Sequence, residues 1–159
     1  MKIDDHSLSE HLRLLVPLFV LIAGVWVLRL LLNEMAVLHA LVVHVLSLTV
    51  ATAIALLFAV ILIHVRRFGS YPSVVAATVL IVAWAQLLIV LAIIFSVATG
   101  TENIFTLPEF SLPGDDPRHL KHILGHLSFG VGGGALIGSA FGCLMLWMLR
   151  RVLPEPGRS

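Results

Sequence analysis

Apolar residues fall into four long blocks separated by short polar breaks. The blocks cover residues 14–32, 40–63, 74–97 and 127–149, and flanking residues extend the last helix to about 119–151. A span needs roughly 20 residues at about 1.5 Å each to cross about 30 Å of hydrocarbon. Backbone polar groups in lipid must be satisfied within the segment, so the blocks predict helices in spite of their Val and Ile content. The predicted fold is an all-α integral membrane protein, a four-helix transmembrane bundle forming a single domain over 1–159.

The breaks carry helix punctuation. Ser7 and Glu10 have capping-box spacing, which places the first helix start in the N-terminal arm. Asn33 and Glu34 mark a turn into the second helix. Gly69 is positioned to cap helix two, and Pro72 suits the first turn of helix three. Gly100 closes helix three. Asp116 and Pro117 read as N-cap and first residue of helix four, and Pro154 and Pro156 stop it. The outer loop, about 98–118, holds Phe105, Leu107, Pro108, Phe110, Leu112 and Pro113. Their spacing predicts an extended segment on the interface, aromatics towards lipid or a partner.

Basic residues set the orientation. Lys2, Arg13, Arg66, Arg67, Arg150, Arg151 and Arg158 flank one end of the helices. Within the outer loop, residues 101–116 hold Glu102, Glu109, Asp115 and Asp116 and no Lys or Arg. Both termini are expected to be cytoplasmic, in a bacterial inner (cytoplasmic) membrane. Acidic residues in the leader and the lack of a small-x-small site argue against a cleaved signal.

Composition narrows the classes. The chain is 59% hydrophobic and only 12% charged, against about 25% charged in a soluble domain. Ten Lys/Arg against nine Asp/Glu leave no basic excess for nucleic acid. One cysteine, Cys143, excludes an internal disulfide. No G-x-S-x-G, H-E-x-x-H or P-loop occurs. Gly130, Val131, Gly132, Gly133, Gly134 and Ala135 fit G-x-G-x-x-A, but no strand precedes them and they lie within a span, so a dinucleotide fold is excluded.

Histidine is the unusual residue: there are eight. His119, His122 and His126 fall within about 60° on one face of helix four. His39 and His44 lie near the outer start of helix two, about 140° apart. His64 sits at the inner end of helix two, and His6 and His11 in the arm. Below the helix-four stripe, Gly130, Gly134, Gly138 and Gly142 recur every four residues, a spacing that favours close helix approach.

Two chemistries fit this pattern beside a purely interfacial role. Haem b needs an imidazole from each of two helices at equal depth, and His44 with His126 meets that condition. His122 is then a neighbour or alternative ligand, and Gly130 and Gly134 the bed for the macrocycle. A divalent metal would draw on His119, His122, His126 and His39 or His44, with outer-loop carboxylates. A proton or metal path is the related variant. Arg29 is expected to snorkel outward towards Glu34; its alternative is to face the histidines and bind an anionic group. Gln86, near the middle of helix three, is expected to bond to a neighbouring helix or to meet a quinone carbonyl. Ser47, Thr49 and Thr52 are expected to bond back to their own helix.

The leading expectation is a small accessory subunit binding haem b in quinone-linked electron transfer. It would sit in the lipid bilayer as a homo-oligomer or within a larger membrane complex. Its rivals are a metal- or proton-conducting protein and a structural assembly subunit packed through the glycines, with no cofactor.

Overall fold

The computed structural model describes residues 2–33, 46–107 and 119–153. The first helix, α1, runs Leu8–Asn33. It opens on the predicted capping box. Glu10 Oε2 accepts the Ser7 backbone N–H at 2.6 Å and the Ser7 hydroxyl at 2.7 Å, and the Glu10 N–H donates to Ser7 Oγ at 3.3 Å. Before it lies a feature the apolar pattern does not signal, a hairpin of β1 (Lys2–Ile3) and β2 (His6–Ser7). Asp4 and Asp5 turn it with positive φ of 50° and 67°, a conformation that Asp tolerates better than most residues.

The second helix, α2, is Leu48–Val65, with Ser47 at its N-cap position. It therefore starts later than the apolar block at 40; residues 34–45 lie outside the described residues. Leu46 and Ser47 are not helical. The Leu46 carbonyl accepts from Arg29, and the Ser47 carbonyl takes the Ala51 N–H at 3.0 Å. Thr52 bonds back to Leu48 O at 2.7 Å, as expected, whereas Ser47 starts the helix. The end also differs. Arg67, not Gly69, adopts the left-handed position, with φ of 52°. Phe68 N–H reaches Ile63 O at 2.9 Å and Arg67 N–H reaches His64 O at 3.2 Å, a Schellman closure. Gly69, φ 84°, is needed for a different reason. A Cβ there would collide with the Ser73 hydroxyl and press on Asp4 Cβ.

The third helix, α3, is Tyr71–Thr99, with Pro72 in its first turn and Gly100 (φ 70°) at its C-cap, as expected. Its N-terminus is closed from outside. One Asp4 oxygen accepts Ser70 N–H at 2.7 Å, Ser70 Oγ–H at 2.9 Å, Ser73 N–H at 3.2 Å and Ser73 Oγ–H at 3.0 Å. A carboxylate suits the positive end of a helix. His11, fully buried, bonds Ser7 O through Nδ1 and Ser73 Oγ through Nε2. His6 stacks on Phe68 at 3.9 Å. The hairpin is thus fastened to the turn between α2 and α3.

The fourth helix, α4, comprises Leu120–Gly125, a π-helical segment His126–Gly130, and Val131–Val152. It begins at Leu120, after His119 in left-handed conformation (φ 49°); Asp116 and Pro117 lie outside the described residues. Helices α1 and α4 each pack on both α2 and α3. Small residues let the helices approach: Ala51, Ala55 and Ala59 face inward from α2, and Ala77, Ala85 and Ala92 from α3. Larger apolar side chains, including Val20, Leu31, Phe58, Phe95, Leu136 and Phe141, face outward. All four helices are long and apolar enough to cross a membrane. The apolar exterior is the surface a bilayer requires, and the chain is an integral membrane protein of all-α, four-helix architecture.

Candidate functional site

At the end where α1 finishes and α2 starts, a cavity of about 640 Å³ opens among all four helices. Arg29 from α1, Ser47 and Thr49 around the start of α2, and Phe105 from the segment after α3 form part of its wall. His122, His126 and Phe129 from α4 form the rest.

The imidazoles are held as a pair. Spacing of four on a helix brings His122 and His126 together, and their Nε2 atoms are 3.0 Å apart. His126 Nδ1 donates to Gln86 Oε1 at 2.6 Å. A neutral His126 therefore accepts at Nε2 from the Nε2–H of His122. Gln86 bonds to a neighbouring helix, and its partner is one of the stripe histidines. Gly130 makes the bond possible: a Cβ there would sit 2.7 Å from Gln86 Oε1. The π segment starts at His126. Such segments rotate the following residues relative to a regular helix and recur at functional sites.

Arg29 departs from the snorkelling expectation. It is 6% exposed. Its Nη1 donates to Leu46 O at 3.1 Å, and its guanidinium lies over the Phe105 ring at 5.3 Å. Its Nε has no hydrogen-bond partner among the described residues. Glu34 lies outside the described residues. The inward alternative, Arg29 on the same cavity as the histidines, is the arrangement found.

The residues after α3 also differ from expectation. Ile104, Phe105 and Thr106 are buried rather than spread on the interface. Asn103 folds them inward. Its Nδ2 donates to Ala92 O at 2.7 Å and its Oδ1 accepts Phe105 N–H at 2.9 Å. Thr106 Oγ1 meets Ser96 Oγ at 3.1 Å. An asparagine closing its own turn is the signal that marks this fold-back in sequence; apolar alternation alone misses it.

The glycine row faces α3. Added Cβ atoms would lie 2.9 Å from Val82 at Gly134, 2.9 Å from Thr78 at Gly138 and 2.8 Å from Val74 at Gly142. Gly130 and Gly134, the expected bed for a macrocycle, lie against Gln86 and Val82 of α3 and also border cavities. His119 has its ring 6.4 Å from that of His122. Among the described residues no three His, Cys, Asp or Glu side chains converge as a metal site. His39, His44, Asp115 and Asp116 lie outside them. The described wall therefore carries one fixed positive charge, two coupled imidazoles, two aromatic rings and no carboxylate.

Comparison with protein-family models, curated proteins and solved structures found no match for this chain.

Proposed function

We propose that the chain is a small accessory membrane subunit of quinone-linked electron transfer, and that this cavity holds the quinone ring. One observation carries the reading: Arg29, buried with its charge, lines the same cavity as the His122–His126 pair. A buried cation facing a cavity in lipid calls for an electron-rich partner. A quinone carbonyl accepts a hydrogen bond from the guanidinium. The two imidazoles, whose N–H groups are engaged with each other and with Gln86, line the wall beside it, and Phe105 and Phe129 add aromatic surface that suits a planar ring. A bare divalent cation would be repelled by Arg29. The Lys/Arg pattern supports placing this end of the bundle on the outer face and both termini in the cytoplasm.

A second reading, haem b, is favoured by one detail. His126 is anchored through Nδ1 by Gln86, the outer-shell support typical of a ligating imidazole. The second imidazole would come from His44, which lies outside the described residues. His122 is unsuited to that place, because its Nε2 lies beside that of His126 on the same helix.

The test is organic extraction, elemental analysis and redox difference spectra on one purified sample. A second arm is equilibrium binding of a water-soluble benzoquinone. Quinone in the extract, or binding lost by about tenfold or more in Arg29→Leu and weakened in His126→Ala, is the expected outcome; tenfold is about 1.4 kcal/mol, close to the lower end of about 1.5–3 kcal/mol for one charged hydrogen bond. A Soret band lost in His126→Ala or His44→Ala overturns it in favour of haem. Stoichiometric zinc, copper or iron overturns it in favour of a metal site. A sample that neither contains nor binds any of these leaves an assembly subunit.

A further inference from the structure

A second cavity, of about 510 Å³, lies below the first between α2, α3 and α4. The two share Leu48, Thr49 and Ile89 as lining residues. Their chemistry differs. The upper one holds Arg29 and the imidazoles. The lower one is walled by Thr52, Leu56, Val82, Ile137 and Phe141, with Gln86. Among the few polar groups there, Thr52 Oγ–H donates to Leu48 O and Gln86 Oε1 accepts from His126. The groove thus presents methyl groups and an aromatic face, and has little to offer a water molecule.

The groove follows α2 from Leu48 to Leu57. Nine steps of helix rise make this about 14 Å. It begins where the ring site ends and descends towards the middle of the bilayer. Helix four stands against α3 here through Gly134 and Gly138, while Ile137 and Phe141 are largely exposed to the lipid side. Access is therefore lateral, from the membrane.

We infer that this groove receives the prenyl tail of a lipid-soluble quinone whose ring occupies the Arg29–His122–His126 cavity. The inference rests on the ring reading above and extends it to the ligand class, a long-chain carrier taken up from the bilayer. Adjacency of the two cavities carries it: a chamber lined by Arg29 and the imidazoles adjoins an apolar groove across Leu48, Thr49 and Ile89, an arrangement that suits a planar head with a hydrocarbon tail. A separate phospholipid acyl chain is the rival occupant.

The experiment compares ring-only benzoquinone with its decyl derivative on the full chain in nanodiscs. Both are measured by equilibrium binding, against wild type, Ala53→Phe, the milder Ala53→Leu, and Ile54→Phe as a control. Ala53 lines the groove, whereas Ile54, next to it and 41% exposed, does not. With each ligand's concentration referred to the nanodisc lipid, the decyl tail is expected to tighten binding about tenfold or more through the close contacts it makes along the groove. Ala53→Phe should remove most of that gain, Ala53→Leu part of it, and Ile54→Phe none, while ring-only binding holds in all three.

A tail that adds nothing in wild type, or a gain that survives Ala53→Phe, overturns the groove assignment and leaves the ring site standing. Failure of both compounds to bind removes the ring reading itself. Displacement of the decyl gain by added phosphatidylglycerol, with ring-only binding unchanged, assigns the groove to a phospholipid chain and overturns the inference.

Discussion

Two residues concentrate the chemistry at the smallest scale. Arg29 is a charge placed where it costs stability: it is buried and, among the described residues, meets the Leu46 carbonyl and the Phe105 ring and has no partner at Nε. Replacing such a group by a similarly sized apolar one is often neutral or stabilising. Arg29→Leu is therefore expected to leave the thermal midpoint unchanged or raised while quinone binding falls. A fall in both would mark Arg29 as structural. Asp4 is the opposite case, a charge that stabilises. Burial pushes its pKa up, but hydrogen bonds from Ser70 and Ser73 outweigh this and hold it below the ordinary 3.8. A carboxyl with a lowered folded-state pKa stabilises above the ordinary value, and that contribution is lost as pH falls through the folded-state one. Asp4→Asn should cost about 1 kcal/mol at neutral pH, as loss of a helix cap does. It should also flatten the acid limb of the midpoint–pH curve; an unchanged acid limb would show that Asp4 does not close the helix.

At the scale of elements, α4 has two kinds of glycine. Gly134 and Gly142 lie against Val82 and Val74, close enough that a methyl group forces movement. Gly132 and Gly133 have open space around Cβ. Alanine at Gly134 or Gly142 is expected to lower stability by about 1–3 kcal/mol, the usual range for overpacking. Gly132→Ala should be neutral or slightly stabilising, because alanine favours helix by about 1 kcal/mol over glycine. Denaturation in detergent, followed by near-ultraviolet circular dichroism, separates the two classes. Equal effects at Gly132 and Gly134 would mean that α4 does not pack on α3 through this row.

For the whole molecule, the basic end and the acidic loop predict a direction across the membrane. In a Cys143→Ala background, Thr101→Cys should react with an impermeant maleimide added to intact cells, and Ser9→Cys only after lysis. Both positions are exposed. The reverse pattern would put the Arg29–His126 cavity on the cytoplasmic side, where the positive-inside bias argues against it.

The sequence by itself determined the helix count, the class and several helix ends. Each of these depends on local physics. Twenty apolar residues satisfy a membrane span, Ser7 with Glu10 caps a helix start, and Gly100 closes a helix end whatever surrounds them. The pairing of His122 with His126 was legible for the same reason, since a spacing of four is intrinsic to the helix. Tertiary structure decided the rest. Arg29 turns inward because the Leu46 carbonyl and Phe105 meet it there, and both come from other elements. Gln86 finds His126 only because Gly130 brings α4 against α3. Asp4 reaches Ser70 and Ser73 across more than sixty residues of chain. Periodicity records which residues share a face, but not which face of which helix comes opposite. That depends on side-chain fit between helices, summed over contacts that no single segment contains.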